Sequence, residues 1–357
     1  MNRPRFRWGL IAALAAGLTL LAPSGHAAPE TLRLNGAGAT FPAPLYLRWF
    51  RDYHRTHPQL RPDYQGTGSA SGIKDLRAGL LDFAGSDYPL EAAEAEAIPG
   101  GLVQIPLAAG AIALIYHLDG LDGLRLSREA LLGLFSGGIE RWNDPLLAAA
   151  NPDLALPDEP VVLVVRAGAS GSSLKFSQHL SAISPIFGAQ TSPSMTPAWP
   201  RSIQQQGRMV AAVGNDGVAA MVRAIPGALG YVQYAYGLLP GLQMALLENR
   251  AGAFVAPGQD SFAAAVTAIR ADRRIETLRD PDAADAYPIV GLSWLLLRRT
   301  YQHPAKLPAL LGLIDYALGP GQQDTVPLGY IPFDAEGLAH VRALLEDLHG
   351  SPIDPSR

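Results

Sequence analysis

Three short turns rich in small and hydroxylated residues are the parts of this sequence best suited to chemistry. They lie at residues 36–42 (GAGATFP), 66–72 (GTGSASG) and 166–173 (RAGASGSS). Each follows a strand-like stretch and precedes a helix-like pattern, so each presents free backbone N–H groups and a hydroxyl at a helix N-terminus. Such termini bind small oxyanions. Gly and Ser are also ordinary turn and capping residues, which leaves a purely structural role open for each turn.

Donors from the three turns could surround one anion. The predicted donors are Thr40 with the Phe41 backbone N–H, Ser69, Ser170, Gly171 and Ser172, and Arg166 supplies the formal positive charge. Arg166 ends an apolar strand-like stretch four residues before Ser170, so it could point into the same cleft. Charge-assisted hydrogen bonds of this kind would replace the hydration of a buried anion. The alternative is that Arg166 is a surface residue in an ion pair.

Asp87 follows the strand-like residues 82–86 and is an unusual residue to find near an anion. An ionised Asp only accepts hydrogen bonds, so it would accept from the P–OH group of phosphate and repel fully ionised sulfate. A buried polar group left unpaired by the wrong ligand discriminates by a factor on the order of 10⁴. Asp87 is therefore predicted to select a protonated oxyanion. A turn or helix-cap role is the alternative.

The first residues have the pattern of a cleaved secretory signal. A basic start, an apolar run at residues 8–21 and small residues before Ala28 predict cleavage after residue 27, and a transmembrane anchor is the alternative. The chain has no cysteine, which excludes disulfides, thiolate metal sites, a cysteine nucleophile and a lipid-modified cysteine anchor. We therefore expect a periplasmic protein without a lipid anchor.

Removal of residues 1–27 makes the formal charge more negative. The segment contains three arginines and no acidic residue, so the charge moves from −4 to −7. A basic patch interleaved with aromatic residues is not evident either, which argues against nucleic acid as a partner. The attraction for an anion must then be local, supplied by backbone dipoles and one or two cations.

The elements that must position these residues alternate between strand-like and helix-like from Leu32 onward, which predicts an α/β fold. Each domain is expected to be a mostly parallel sheet flanked by helices, with the ligand in the cleft between two domains. The predicted boundaries are residues 28–106 with 287–357 for domain I and 107–286 for domain II, which suits a mature chain of about 330 residues.

Local patterns give further expectations. The first helix carries apolar residues at helical spacing, the second carries Ile73, Leu76 and Leu80, and residues 104–116 read as a crossover between two units. Strands are expected at residues 161–165, 228–232 and 292–297, and helices at residues 307–318 and from Asp334 onward. The apolar residues on the first helix are Leu45, Tyr46, Trp49, Phe50 and Tyr53.

Signatures of catalysis are not evident. The chain has no Gly-x-Ser-x-Gly elbow and no His-Glu-x-x-His motif. Residues 168–173 lack the lysine of a phosphate-binding loop (P-loop). His54 and His57 could share a helix face and hold a metal, but such pairs are usually surface residues. We therefore predict no catalytic residues, no metal and no cofactor.

The motifs resemble those of one family. The chain is similar to the phosphate-binding subunit of ABC phosphate importers, the PstS family of periplasmic substrate-binding proteins, over nearly all of its mature length. The matching segments are residues 36–44, 64–69, 82–87, 142–145, 214–218, 226–231 and 328–330. The resemblance implies two α/β domains that close on inorganic phosphate. Its phosphate ligands match Thr40, Phe41, Ser69, Asp87, Arg166, Ser170, Gly171 and Ser172 of this sequence.

The resemblance also implies partners and an activity. It predicts a monomer that performs no chemistry and delivers phosphate to an ABC permease in the inner membrane. One departure concerns the third turn, where Gly168 stands at the position of the family's Asp that restrains the arginine, and Ala169 replaces the following Gly. A receptor for another oxyanion or a phosphate ester remains an alternative, as does a secreted phosphohydrolase or a surface interaction protein on the same fold.

Overall fold

A computed structural model describes residues 31–272 and 280–349, so the predicted signal segment, residues 1–27, lies outside the described residues. The strands are β1 Leu32–Gly38, β2 Leu60–Gly66, β3 Phe83–Ser86, β4 Leu102–Tyr116, β5 Arg125–Leu126, β6 Val162–Arg166, β7 Met209–Ala212, β8 Ala228–Gln233, β9 Gln243–Met244, β10 Leu246–Glu248, β11 Phe254–Val255 and β12 Val290–Arg298. The helices are α1 Ala43–Thr56, α2 Ser69–Arg77, α3 Ala92–Glu96, α4 Arg128–Ser136, α5 Pro145–Ala150, α6 Gly171–Ile183, α7 Pro185–Thr191, α8 Arg201–Gln205, α9 Gly214–Ala224, α10 Tyr234–Gly237, α11 Gln259–Asp272, α12 Lys306–Leu318 and α13 Ala335–His349. A 3₁₀ helix spans Pro320–Asp324.

One mixed sheet of nine strands carries the fold. Its order is β2-β1-β3-β12-β4-β8-β6-β7, with β9 paired to β4, and β5, β10 and β11 form a second, small sheet. Strands β1, β2 and β3 are mutually parallel, as are β6, β7 and β8. These two parallel groups are joined by β12 and β4, which pair antiparallel with their neighbours. The predicted α/β fold class is confirmed.

Strand β4 covers the stretch that the sequence predicts to cross between two units. Residues 104–116 belong to this one strand of 15 residues. The first part of that strand pairs with β12 up to Ala111, and the remainder, from Ile112, pairs with β8. Strands β12 and β8 thus supply the pairing partners of β4 in turn. The same strand therefore belongs to both parallel groups.

Helix α1 buries the aromatic face that its sequence predicts. Tyr46 stacks on Trp49 and Phe50, and all three side chains are buried. The Trp49 indole N–H donates to the Gly321 carbonyl at 2.7 Å, which ties α1 to the 3₁₀ helix near the end of the chain. The second helix is shorter than expected, because α2 ends at Arg77 and leaves Leu80 71% exposed.

The late strands and helices lie where the sequence predicts them. Strand β8 begins at Ala228 after the Gly227 turn, β12 contains residues 292–297, and α12 covers residues 307–318. Helix α13 buries Val341 and Leu345. In the ranges that the structure describes, no helix combines the length and the apolar character needed to cross a lipid bilayer.

Candidate anion-binding site

The three predicted turns lie at the carboxyl ends of strands in the two parallel groups. Strand β1 ends at Gly38, β2 at Gly66 and β6 at Arg166, and helices α1, α2 and α6 begin a few residues later. The predicted sequence of strand, turn and helix is therefore confirmed at all three places. Ligands of open α/β sheets bind at this edge, because successive βα loops converge there.

The first two turns are locked together through glycine. The Gly68 N–H donates to the Gly38 carbonyl at 2.7 Å. A Cβ atom on Gly38 would lie 2.2 Å from the Gly85 carbonyl oxygen, and one on Gly72 would lie 2.5 Å from the Gly38 Cα. These distances exclude any side chain, so the small residues of the two turns are needed for backbone packing as well as for any ligand.

Asp87 lies at the end of β3, with the start of α2 beside it. The Asp87 side chain is 3% exposed, and its Oδ1 accepts a hydrogen bond from the Ser293 hydroxyl at 2.8 Å. The Asp87 backbone N–H donates to Ser69 Oγ at 3.2 Å, which leaves the Ser69 hydroxyl proton able to donate elsewhere. Oδ1 is occupied by Ser293, while Oδ2 faces the Gly171 backbone.

Arg166 and the N-terminus of α6 form the opposite side. Arg166 is 9% exposed, and its Nη1 donates to Ser172 Oγ at 3.4 Å. Its Nε is buried and has no hydrogen-bond partner among the described residues. Ser170 caps α6 by accepting from the Ser173 N–H at 3.3 Å. An incompletely paired guanidinium beside a helix N-terminus is suited to an anion.

Asn215 joins the first turn to the third. Its side-chain Nδ2 donates to Thr40 Oγ1 at 2.8 Å, and its Oδ1 accepts from Ser172 Oγ at 3.5 Å. The Tyr236 hydroxyl, on α10, also donates to the Thr40 carbonyl at 2.8 Å. Thr40 is therefore connected through Asn215 and Ser172 to Arg166, although 126 positions separate Thr40 from Arg166 in the chain.

The third turn also packs directly on Asp87. A Cβ atom at Gly171 would lie 2.1 Å from the Asp87 Cβ and 2.7 Å from Asp87 Oδ2. The Lys175 ammonium, one turn further along α6, donates to the Asp87 backbone carbonyl. Any residue larger than glycine at position 171 would push α6 away from β3. Close approach of the two sides thus depends on Gly171.

Burial changes the acid–base properties of the charged groups. Loss of solvent raises the pKa of Asp87, and Lys175, the Ser293 hydrogen bond and Arg166 oppose that rise. Burial lowers the pKa of Arg166. It also lowers the pKa of Lys175 to about 8, although the Asp87 charge acts in the other direction. For each of these groups, an opposite charge in the same pocket stabilises the charged form against the effect of burial.

All eight residues predicted as ligands come together in the structure. Seven of them have exposures of at most 9%, and Gly171 is buried as well. Arg166 is not a surface residue, and it forms no ion pair with any described carboxylate. Asp87 does not cap a helix, because Glu91 caps the next helix, α3. Their assignment as phosphate ligands stays a prediction. The exposures are Thr40 4%, Phe41 0%, Ser69 1%, Asp87 3%, Arg166 9%, Ser170 1% and Ser172 0%.

Four residues at this place were not singled out from the sequence: Lys175, Asn215, Tyr236 and Ser293. Asn215 lies in the 214–218 motif that supports the family resemblance, so a signal for it was present. Ser293 sits in an otherwise apolar strand at a β-bulge, where the register of β12 against β4 shifts between Ser293 and Trp294. Lys175 lies between Leu174 and Phe176 on α6, and nothing in that pattern marks it as part of a site.

The departure at Gly168 is visible in the geometry. Gly168 has a φ of +72°, and a Cβ atom there would meet nothing within 4 Å. The position is therefore open, and glycine is favoured by the left-handed backbone. In place of a carboxylate from position 168, the Ser172 hydroxyl contacts the Arg166 guanidinium.

His54 and His57 make separate local contacts. His54 Nδ1 is hydrogen bonded to the Leu60 carbonyl at 2.6 Å, whereas His57 stacks on Tyr53. No group of three or more His, Cys, Asp or Glu residues that could hold a metal ion occurs in residues 31–272 and 280–349.

Comparisons with known proteins agree on one family. Residues 24–320 match the model of the PBP superfamily domain. The chain is 31% identical over 319 residues to the phosphate-binding protein PstS of Xylella fastidiosa, which covers 88% of this chain and 85% of that protein. Its fold is similar to the phosphate-binding protein of Stenotrophomonas maltophilia, with a TM-score of 0.63 at 21% identity over 88% of this chain and 93% of that one. It is also similar to an ABC-type phosphate transport receptor of Vibrio cholerae, with a TM-score of 0.53 at 18% identity, covering 84% and 99% of the two chains.

Proposed function

Because the chain belongs to the PstS family of phosphate-binding proteins, we propose that it captures inorganic phosphate between the Asp87 and Arg166 sides and delivers it for import by an ABC permease. The observation that carries this proposal is the pairing, in one buried place, of a hydrogen-bond acceptor with a cationic donor set. Phosphate at neutral pH needs both. Its ionised oxygens accept hydrogen bonds, and its remaining P–OH group donates one.

The proposed contacts follow from the geometry. Arg166, Ser170, Gly171 and Ser172 would donate to phosphate from the N-terminus of α6, and Thr40, the Phe41 N–H and Ser69 would donate from the opposite side. Asp87 Oδ2 would accept the proton of P–OH, since Oδ1 is already bonded to Ser293. Donors from residues far apart in the chain reach one ion only when the two sides are close, so binding would favour the closed arrangement.

Burial favours a free ion over a larger ligand. A phosphate ester would need space for its organic group beside side chains that are at most 9% exposed. A phosphohydrolase would need a nucleophile or a metal near the phosphate, and the relatives are named as phosphate-binding proteins. We therefore propose a receptor without catalytic activity.

We also propose that the receptor acts as a monomer and that residues 1–27 direct it to the periplasm.

Calorimetry on the ligand-stripped mature protein tests the proposal. Phosphate and arsenate should bind and compete, because both carry a proton at neutral pH and have similar shapes, while sulfate should bind at least about 10³-fold more weakly. Equal affinity for phosphate and sulfate would contradict the role of Asp87 as acceptor. Tight binding of sulfate alone would favour a receptor for another oxyanion, and turnover of a phosphate ester would favour the hydrolase alternative.

A further inference from the structure

Lys175 is a partly buried cation that belongs to neither of the donor sets described above. It lies on α6, and its ammonium reaches across to the other side of the site. There it donates to the Asp87 carbonyl and lies 5.7 Å from the centre of the Phe41 ring and 5.6 Å from that of Trp294. Both rings offer the negative faces that favour a cation.

The surrounding backbone is shaped for this side chain. A Cβ atom on Gly291 would lie 2.7 Å from Lys175 Cε and 2.8 Å from its Cδ, so the lysine stem occupies the space that any other residue at 291 would fill. Gly171, one turn earlier on α6, allows the helix to approach Asp87. The absence of side chains at Gly171 and Gly291 therefore allows the ammonium to lie beside the Asp87 segment.

The charges of the site explain what this cation does. A divalent phosphate, an ionised Asp87 and Arg166 would leave the buried site with a net charge of about −2, and Lys175 reduces the excess by one. Burial alone raises the pKa of Asp87, and Lys175 is the largest influence that lowers it again. A carboxyl that took up a proton beside the anion would donate a hydrogen bond, and sulfate could accept it.

We propose that Lys175 is a specificity-determining residue that keeps Asp87 ionised in the closed site, so that the site accepts a protonated oxyanion and rejects a fully ionised one. This inference rests on the proposed function. Lys175 is a positioning residue here, because it acts on the ligand through Asp87.

Other titratable groups face Asp87 but do not replace this role. Arg166 lies on β6 and is shared with the anion. Four tyrosines are also near enough to influence Asp87 or to be influenced by it: Tyr46, Tyr64, Tyr236 and Tyr330. Burial raises the pKa of each of these hydroxyls, so they remain neutral. Lys175 is thus the cation that balances Asp87 itself.

The test compares phosphate and sulfate affinities of the wild type, Lys175→Met and Lys175→Arg. Methionine keeps much of the apolar stem and removes the charge, whereas arginine keeps the charge. We expect Lys175→Met to weaken phosphate binding about tenfold or more and to lower the phosphate-to-sulfate ratio about tenfold or more. Lys175→Arg should stay nearer to the wild-type ratio.

Proton uptake gives a readout that a merely structural role would not move. Calorimetry in two buffers of different ionisation enthalpy counts the protons taken up with phosphate. The Lys175→Met variant should take up more protons than the wild type, because Asp87 becomes protonated when the anion enters. Gly291→Ala keeps the lysine but displaces its stem, so it should shift the ratio in the same direction and serves if Lys175→Met does not fold.

Lys306→Met is the matched control, since Lys306 forms an ion pair with a different aspartate, Asp82, at 2.6 Å, and neither residue is among the ligand candidates. It should leave both affinities and the proton count unchanged. Equal weakening of both anions by Lys175→Met, with no extra proton, would make Lys175 a closing contact and overturn its specificity role. Unchanged affinities would overturn it too. A wild-type protein that fails to bind phosphate would overturn the proposed function itself.

Discussion

The two sides of the site are built in different ways. The cationic side, Arg166 with residues 170–172, consists of one short segment whose main internal contact, from Arg166 to Ser172, spans six positions. The acidic side, Ser69 with Asp87, is completed from far away, since Ser293 and Lys175 contact Asp87 from 206 and 88 positions along the chain. Charge for binding an anion therefore comes from local structure, whereas the choice between anions comes from tertiary contacts.

The largest effect is expected on the cationic side. Arg166→Ala removes the formal positive charge of the local segment and should weaken phosphate binding by about 2–5 kcal/mol, because the charge is desolvated beside the anion. Titration calorimetry measures the change, and sulfate binding should weaken as well. A loss within about 0.5 kcal/mol would mean that Arg166 does not touch the ligand.

Asp87→Asn should change selectivity more than it changes the fold. Asparagine has nearly the same shape but can donate, so phosphate should lose about 1.5–3 kcal/mol and sulfate should bind more tightly than in the wild type. The melting temperature without ligand should stay near the wild-type value. A lower melting temperature with an unchanged phosphate-to-sulfate ratio would contradict the assignment of Asp87 to the site.

Ser293→Ala tests the distant support of the acidic side. Its loss removes the donor that holds Asp87 Oδ1, which should raise the pKa of Asp87 further and weaken phosphate by about 1–2 kcal/mol. The pKa rises because the Ser293 hydrogen bond stabilises the ionised carboxylate, so its loss favours the protonated form. Sulfate should lose less than phosphate. If both anions lose the same affinity, Ser293 acts only through packing.

The smallest effect is expected at a contact that does not reach the ligand, between Tyr236 on α10 and Thr40 in the first turn. Tyr236→Phe removes the hydrogen bond to the Thr40 carbonyl and should cost phosphate and sulfate the same amount, about 0.5–1.5 kcal/mol. The phosphate-to-sulfate ratio of the variant should equal that of the wild type. A shift in that ratio would show that Tyr236 also contributes to the choice between anions.

Much of the fold was predictable because its signals are local. The aromatic spacing of α1 and the turns before α2 and α6 follow from periodicity and capping, which depend on neighbours a few residues apart. That residues 104–116 form one continuous strand, β4, was not predictable, since the apolar pattern does not show the pairing partners. Leu80 was misplaced for a related reason, because nothing in its pattern marks the end of α2 at Arg77.

The sequence by itself determined the α/β class and the eight candidate ligands, since seven of these lie in short turns of consecutive residues at helix starts and Asp87 directly follows a strand-like stretch. Only the tertiary structure decided what surrounds Asp87. Ser293 is one hydroxyl in an apolar strand, and Lys175 is one cation on a helix, so neither is informative alone. Their effect on the carboxyl depends on desolvation and on charge separation of a few ångströms, which arise only when β3, β12 and α6 pack together.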